Sequence, residues 1–275
     1  AAETLGAEGF AVRRVGVTEH GLIEPAALAA ACAGGVAVVT VQLANHEVGT
    51  VQEVGALAEI AQRAGGLVHC DAVQAAGKLP LCVDALAVDA LALSAHKLGG
   101  PKGAGALWVR RAHHELAAVI GAGHQERGRR PGTENVIGLV GFGAAAEALG
   151  DVAARGAQLR ALTAILEQGL RQIEGARIHG AGAPRVGNTV NVGFAGAAGD
   201  VVMCALDLEG VAVSTGAACT SGSSSPSPVL LAMGLDPDRA AEAVRLSVGP
   251  RTTPAELQVV LELLPPILQR ARAFG

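Results

Sequence analysis

The sequence predicts an α/β protein: a largely parallel sheet with helical connections, followed by a smaller α+β unit. Three observations carry this. From residue 22 onward, apolar runs of strand length alternate with Ala-rich stretches of helical periodicity, the pattern of βαβ units. The strand runs are apolar almost throughout, as expected of strands covered on both faces. Past residue 135 the alternation gives way to one long Ala/Leu-rich stretch and then to shorter, differently ordered elements.

Taken in order, residues 23–33 read as an Ala-rich helix, 36–44 (VAVVTVQLA) as an apolar strand, and 53–64 as a helix with apolar residues at helical spacing. Segments 67–70 (LVHC), 89–94 (DALALS) and 105–111 (GALWVRR) read as further strands. The Ala/Leu-rich stretch runs to about residue 175, with breaks expected at Gly150 and Gly156. A boundary along it divides an expected large domain, 1–150, from a small C-terminal domain, 151–275. The latter is expected to hold a strand at 189–194, a helix near 199–208, a short strand at 211–214, a Gly/Ser-rich loop, a helix after Pro226, a strand at 244–248 and a helix from Pro254 to the end. The patch SGSSSPSP (221–228) is loop by composition, and no internal repeat is visible.

Composition narrows the function classes. The chain has 275 residues, half of them apolar, which is enough for a sizeable core. A formal charge of −4 with 17% charged residues offers no basic stripe, so nucleic acid is not an expected partner. No apolar run reaches the ~18–20 residues a bilayer requires, and the start AAETLGAEGF lacks the features of a signal peptide. The default expectation is a soluble, cytoplasmic protein with no membrane partner. Cys32, Cys70, Cys82, Cys204 and Cys219 are odd in number and contain no CxxC pair, which favours neither a disulfide framework nor a structural zinc site. Lys78, Lys97 and Lys102 are the only lysines, so a mechanism that needs one has few candidates.

Five segments can carry chemistry. In LALSAHKLGGPKGAG (91–105) an apolar strand ends in Ser94-Ala95-His96-Lys97 and enters a glycine-rich turn. Open α/β sheets bind ligands at the carboxyl ends of their strands. A lysine there can form a Schiff base with a carbonyl compound if burial or nearby positive charge depresses its protonation, and Ser94 and His96 can hold a phosphate beside it. The blander possibility is a solvated lysine on an ordinary turn. In LVHCDAVQAAGK (67–78), Asp71 follows a strand, with Gln74 three residues on. A carboxylate so placed can pair with a protonated pyridine nitrogen, and Gln74 can donate to a phenolic oxygen or a phosphate. Equally, Asp71 can cap a helix.

Cys219 stands in VSTGAACTSGSSSPSPVL (213–230), a small-residue polar segment that offers a cysteine little to pack against. A thiolate on such a loop can reach a substrate and then carry its cargo away, whereas Cys32, Cys70 and Cys204 read as ordinary buried hydrophobes. In VRLSVGPRTT (244–253), Arg245 offers the planar fork that suits an amino-acid carboxylate, or is a plain surface arginine. Finally, His124 and Thr133 in HQERGRRPGTEN (124–135) can reach a phosphate or a subunit interface, or belong to a solvated turn.

Together these segments resemble the NifS-type cysteine desulfurases, in the class V branch of fold-type I pyridoxal-5′-phosphate (PLP) enzymes. The similarity lies in Asp71 with Gln74, in Ser94 to Lys97, in Arg130 to Thr133, in Gly216 to Ser221, and in Arg245, in family order from about residue 10 to 270. The resemblance implies a fold-type I PLP-dependent transferase, with PLP bound by His46, Asp71, Gln74, Ser94, His96, Lys97 and Thr133, and Lys97 as the Schiff-base lysine. It implies that Arg245 and Asn45 bind substrate, that Cys219 takes sulfur from L-cysteine as a persulfide, and that His96 assists proton transfer. It further implies a homodimer in which Thr133 reaches the partner's phosphate site, and a sulfur-acceptor or scaffold protein for iron–sulfur cluster or thio-cofactor synthesis.

The chain departs from the family pattern in two ways. The family's Asn-Asn-Glu-x-Gly stands here as Asn45-His46-Glu47-Val48-Gly49, which leaves open whether Asn45 or His46 contacts the cofactor. Family members also carry an N-terminal region with a phosphate loop and a ring-stacking histidine that precede the part matched here, so a truncated chain with weakened PLP binding is expected. Selenocysteine lyase shares the motifs and also PSPVL, here at 226–230, and is the nearest competing activity. The same segments are also compatible with a non-catalytic remnant of the fold or with an aminotransferase.

Overall fold

The structure is a computed structural model describing residues 2–111, 116–118, 120, 121, 123–216 and 226–273. The expected sulfur acceptor, Cys219, lies outside the described residues.

The first part contains α1 (Ala2–Ala7), α2 (Pro25–Cys32), β1 (Val38–Gln42), α3 (Val54–Arg63), β2 (Leu67–Asp71), α4 (Val83–Leu86), β3 (Ala90–Ser94) and β4 (Gly105–Val109). A 3₁₀ turn at Ala95–Lys97 continues directly from β3. β1, β2 and β3 run parallel, with β4 antiparallel at the edge, in the order β1-β2-β3-β4. Val54, Leu57, Ala58 and Ala61 recur at spacings of three and four on α3, which gives that helix one apolar stripe. The stripe packs with Leu28 and Cys32 of α2 against Val41, Val68, Cys70 and Leu91, alternate residues that share one face of the sheet.

Among the described residues, helices cover one face of these strands, not both faces as the apolar runs suggest. On the opposite face Val38, Leu67 and Leu107 are 56%, 41% and 51% exposed. The reason is that α2 and α3 pack side by side against the same face. An apolar run records that a strand favours burial, not which side its helices take.

Next come α5 (Gln125–Gly128), α6 (Val136–Glu147) and α7 (Val152–Leu170). Asn135 and Asp151 cap the last two by accepting from the amides of Gly138 and Ala154. The expected break at Gly150 is present, with φ 57°. Gly156, also expected to break the helix, lies inside α7 instead, where a Cβ would come within 2.6 Å of the Lys78 carbonyl oxygen. Its small size serves a close backbone approach rather than a turn.

The second sheet is formed by β5 (Ala176–His179), β6 (Thr189–Phe194), β7 (Ser214–Thr215) and β8 (Ala243–Ser247), antiparallel in the order β5-β6-β8-β7. α8 (Gly199–Leu208), α9 (Pro228–Ala232), α10 (Pro237–Ala241) and α11 (Pro254–Ala273) complete the chain. Strand β5 is absent from the sequence expectations, and the strand expected at 211–214 is the two-residue β7. Leu159, Leu166 and Leu170 of α7, Val202 and Leu206 of α8, and Leu264, Ile267 and Leu268 of α11 cover one face, meeting Val190, Val192, Phe194 and Val244. α11 continues through Pro265 and Pro266. Each costs about 3 kcal/mol in a helix interior, a loss offset by burying the three apolar neighbours at about 1.5–3 kcal/mol each.

The turn after β1 connects the two parts. Val51 N donates to the Pro184 carbonyl at 2.8 Å and Val186 N to that of Gly49 at 2.9 Å. Gly49 has φ 79°, and a Cβ there would meet Val186 at 3.2 Å. No single helix among the described residues is long and apolar enough to cross a membrane.

Candidate active site

Parallel register sets the carboxyl ends of the first three strands side by side: Gln42 lies opposite Asp71, and Asp71 opposite Ala92, two residues before Ser94. The three segments beyond these ends are the turn 45–51, the turns after Asp71, and the 3₁₀ turn with Lys97. Asp71 is the last residue of β2, and its Oδ1 accepts from Val73 N at 2.9 Å. Asp71 thus caps a turn with one oxygen; the helix that its capping reading expects directly after it is a run of turns. Ser94 Oγ lies 2.8 Å from His96 Nδ1, and His96 and Lys97 are exposed.

His46 is the point on which the charged candidates converge. Burial depresses its pKa below 6.5, the positive charges of Arg245 and Lys97 depress it further, and the Asp71 carboxylate opposes them. One imidazole therefore senses Arg245 from β8, Lys97 from the end of β3 and Asp71 from the end of β2. Arg245 also bonds the segment directly, its Nη1 donating to the His46 carbonyl at 3.2 Å. His46 Nε2 lies 3.5 Å from Glu47 Oε1. This contact is no ion pair at neutral pH, because the lowered pKa leaves the imidazole neutral there.

Asn45 is engaged in shaping the turn. Its Oδ1 accepts from the amides of Glu47 and Val48 at 2.8 and 3.1 Å, and its Nδ2 donates to Gln42 Oε1 at 3.4 Å. Between Asn45 and His46, it is His46 that the structure brings to the charged group. Gln74 accepts at Oε1 from Lys78 Nζ at 2.8 Å. Thr133 is exposed, its carbonyl taken by Arg130 Nη1 at 3.4 Å.

Residue-by-residue reading passes over two contributors. Lys78 stands four residues after Gln74; its pKa is lowered to about 8 by burial and then by Lys97 and Arg245. Scarcity of lysine was the available signal. Glu47 is 2% exposed and accepts from the Ser227 hydroxyl at 2.5 Å. Burial raises its pKa, while Ser227 and Arg245 hold it back. Its sign in the sequence was its place directly after Asn45 and His46 in Asn45-His46-Glu47-Val48-Gly49.

The assembled set contains a carboxylate, an amide, an amine, a hydroxyl with an imidazole, and a guanidinium. These donors and acceptors fit a group with a basic ring nitrogen, a phenolic oxygen, an aldehyde and a phosphate, beside an amino-acid carboxylate. The family model for aminotransferase class-V matches residues 1–260.

The chain belongs to the aminotransferase class-V family.

Its relatives in that family include cysteine desulfurases. The "Cysteine desulfurase" of Cereibacter sphaeroides is 46% identical over 270 residues, spanning 98% of this chain and 69% of its own length. That of Klebsiella pneumoniae is 40% identical over 279 residues, spanning 100% of this chain and 69% of its own. Among solved structures, a NifS-like protein superposes with a TM-score of 0.87 at 33% identity, covering 98% of this chain and 71% of the other. The NifS-like protein from Rickettsia africae gives 0.84 at 27% identity, covering 93% and 69%. The class-V fold is thus a fold-type I α/β architecture, as the sequence predicts.

Proposed function

We propose that this chain is a PLP-dependent cysteine desulfurase, which converts L-cysteine to L-alanine and receives the sulfur on Cys219 as a persulfide. The observation that carries the reading is the convergence of Lys97, Asp71 and Arg245 on His46, at the carboxyl edge of a class-V sheet.

Lys97 would hold the cofactor aldehyde, Asp71 its protonated ring nitrogen through Oδ2, Gln74 its phenolic oxygen, and Ser94 and His96 its phosphate. His46, neutral at physiological pH, lies against that site. When bound, PLP withdraws electron density from the substrate amino acid. The Lys97 amine then carries the α-proton and Arg245 fixes the substrate carboxylate. The Cys219 thiolate attacks the substrate sulfur, the carbon–sulfur bond breaks, and the sulfur is passed to an acceptor or scaffold protein for iron–sulfur cluster or thio-cofactor assembly.

We also infer a homodimer in which Thr133 reaches the partner's phosphate site. Supporting it, α6 presents Val136, Ile137 and Val140 to solvent together, at 63%, 88% and 68% exposure, and clustered exposed apolar residues mark interaction surfaces.

The test is alanine release from L-cysteine by the PLP-loaded chain, with absorbance to follow the bound cofactor. Lys97→Ala is expected to abolish both the band and the activity; Cys219→Ser should keep the band and lose sulfur transfer. An unsubstituted chain with no band, or a fully active Cys219→Ser, overturns the reading.

A further inference from the structure

The Lys78 ammonium occupies one specific atom of Gln74, the carbonyl oxygen Oε1, at 2.8 Å. An ammonium only donates, whereas a glutamine amide accepts at its oxygen and donates at its nitrogen. The bond therefore sets the sense of the amide: Oε1 faces Lys78, and Nε2 is the end left to donate elsewhere. Without Lys78 the two ends are nearly isosteric, and the amide can present either to a ligand.

The backbone holds this lysine firmly. Lys78 N donates to the Ala75 carbonyl at 3.0 Å. Gly77 before it has φ 72°, and a Cβ there would meet Leu149 and Leu98 at 3.0 and 3.1 Å. On its other side the Lys78 carbonyl abuts Gly156 of α7. The amine is in costly surroundings, partly buried with Lys97 and Arg245 as its main charged neighbours, which together bring its pKa to about 8. A methionine would fill the space without burying charge near two cations. The bond to Gln74 is what the charge provides.

We propose that Lys78 is a positioning residue of the cofactor site: it binds the Gln74 carbonyl oxygen so that the Gln74 amide donates, rather than accepts, at the phenolic oxygen of PLP. This rests on the PLP reading of the site. Lys78 need not touch the cofactor; it acts through Gln74.

The experiment follows the absorbance of PLP bound to the full chain as a function of pH. A donor at the phenolic oxygen stabilises its anionic form, so losing the donor raises the midpoint of the colour change. Lys78→Met is expected to raise it by about one pH unit, and Lys78→Arg, which keeps donor and charge, to restore it. Gln74→Met alone should give a similar rise, and the double variant no more than Gln74→Met. Removing a positive charge beside Lys97, Arg245, Asp71 and His46 would also raise the midpoint, and the double variant separates the causes. If Lys78 acts only as a charge, its shift persists in full in the Gln74→Met background, and the proposal is overturned. An unchanged midpoint and PLP affinity in Lys78→Met overturn it too. Should Lys78→Met fail to fold, Lys78→Leu, uncharged and without a donor, replaces it with the same expected rise. A missing band in the unsubstituted chain overturns the PLP reading and this inference together; a band with additive shifts overturns this inference alone.

Discussion

The Ser227 hydroxyl donates to Glu47 Oε2 at 2.5 Å, joining two residues 180 positions apart that are each 2% exposed. Residues 217–225, with Cys219 among them, fall between Gly216 and Ser227 in sequence, and both of these lie against the same carboxyl group. The bond therefore joins the turn that carries His46 to the segment that follows Cys219, the proposed sulfur acceptor, in sequence.

Removing that bond should weaken the whole fold. Ser227→Ala leaves a buried carboxyl group short of a partner, at a cost of about 1–3 kcal/mol. Thermal denaturation followed by circular dichroism should show a melting temperature lower by about 3–8 °C.

Glu47 also gives stability a pH dependence. Its pKa in the folded chain is raised above 4.5, chiefly by burial. The folded state thus holds the proton more tightly than the unfolded state. This contribution is fully present below pH 4.5 and is lost as pH rises through the raised value. Glu47→Gln should flatten the fall, measured as denaturant midpoints from about pH 4 to 8. An equally steep fall in the variant would assign the effect to another group.

His46 has the opposite slope. Its folded pKa lies below 6.5, so the unfolded chain takes up the proton first and stability is lost as pH drops through the window beneath 6.5. His46→Asn should remove that part of the acid loss while leaving the Glu47 slope in place. The same denaturant series resolves the two.

Gly216 has no room for a side chain. A Cβ there would fall 2.5 Å from Glu47 Oε2 and 2.7 Å from Ser227 Cβ. Gly216→Ala should cost about 1–3 kcal/mol by overpacking. Because it disturbs the same contact, the Gly216→Ala, Ser227→Ala double variant should lose less than the sum of the single losses.

Arg245, proposed to bind the substrate carboxylate, also bonds the His46 turn. Arg245→Ala should raise KM for L-cysteine by about 10- to 100-fold, the range expected for losing hydrogen bonds to a charged group. Arg245→Lys should recover only part of this, since an ammonium lacks the planar fork that pairs with a carboxylate. Steady-state kinetics on both variants checks it; full recovery by lysine would place Arg245 away from the substrate carboxylate.

Local pattern was enough for most elements and for the identity of the chemical groups. Apolar runs fall on β1, β2, β3, β4, β6 and β8, helical spacing on α3, and the motifs around Asp71, Lys97 and Arg245 lie on the segments expected. These depend on side-chain chemistry and short-range backbone preference, which the sequence carries residue by residue. What the tertiary structure decided is which groups meet. Strand register set Asp71 beside the segment that leads to Lys97, and docking of the 45–51 turn against the second sheet brought Arg245 to His46 and Ser227 to Glu47. It also decided that the helices leave one sheet face open, that Gly156 serves a close approach, and that Asn45 shapes its turn while His46 faces the charges. Such relations depend on separations of up to about 200 residues and on the dielectric set by burial, neither of which any local pattern records.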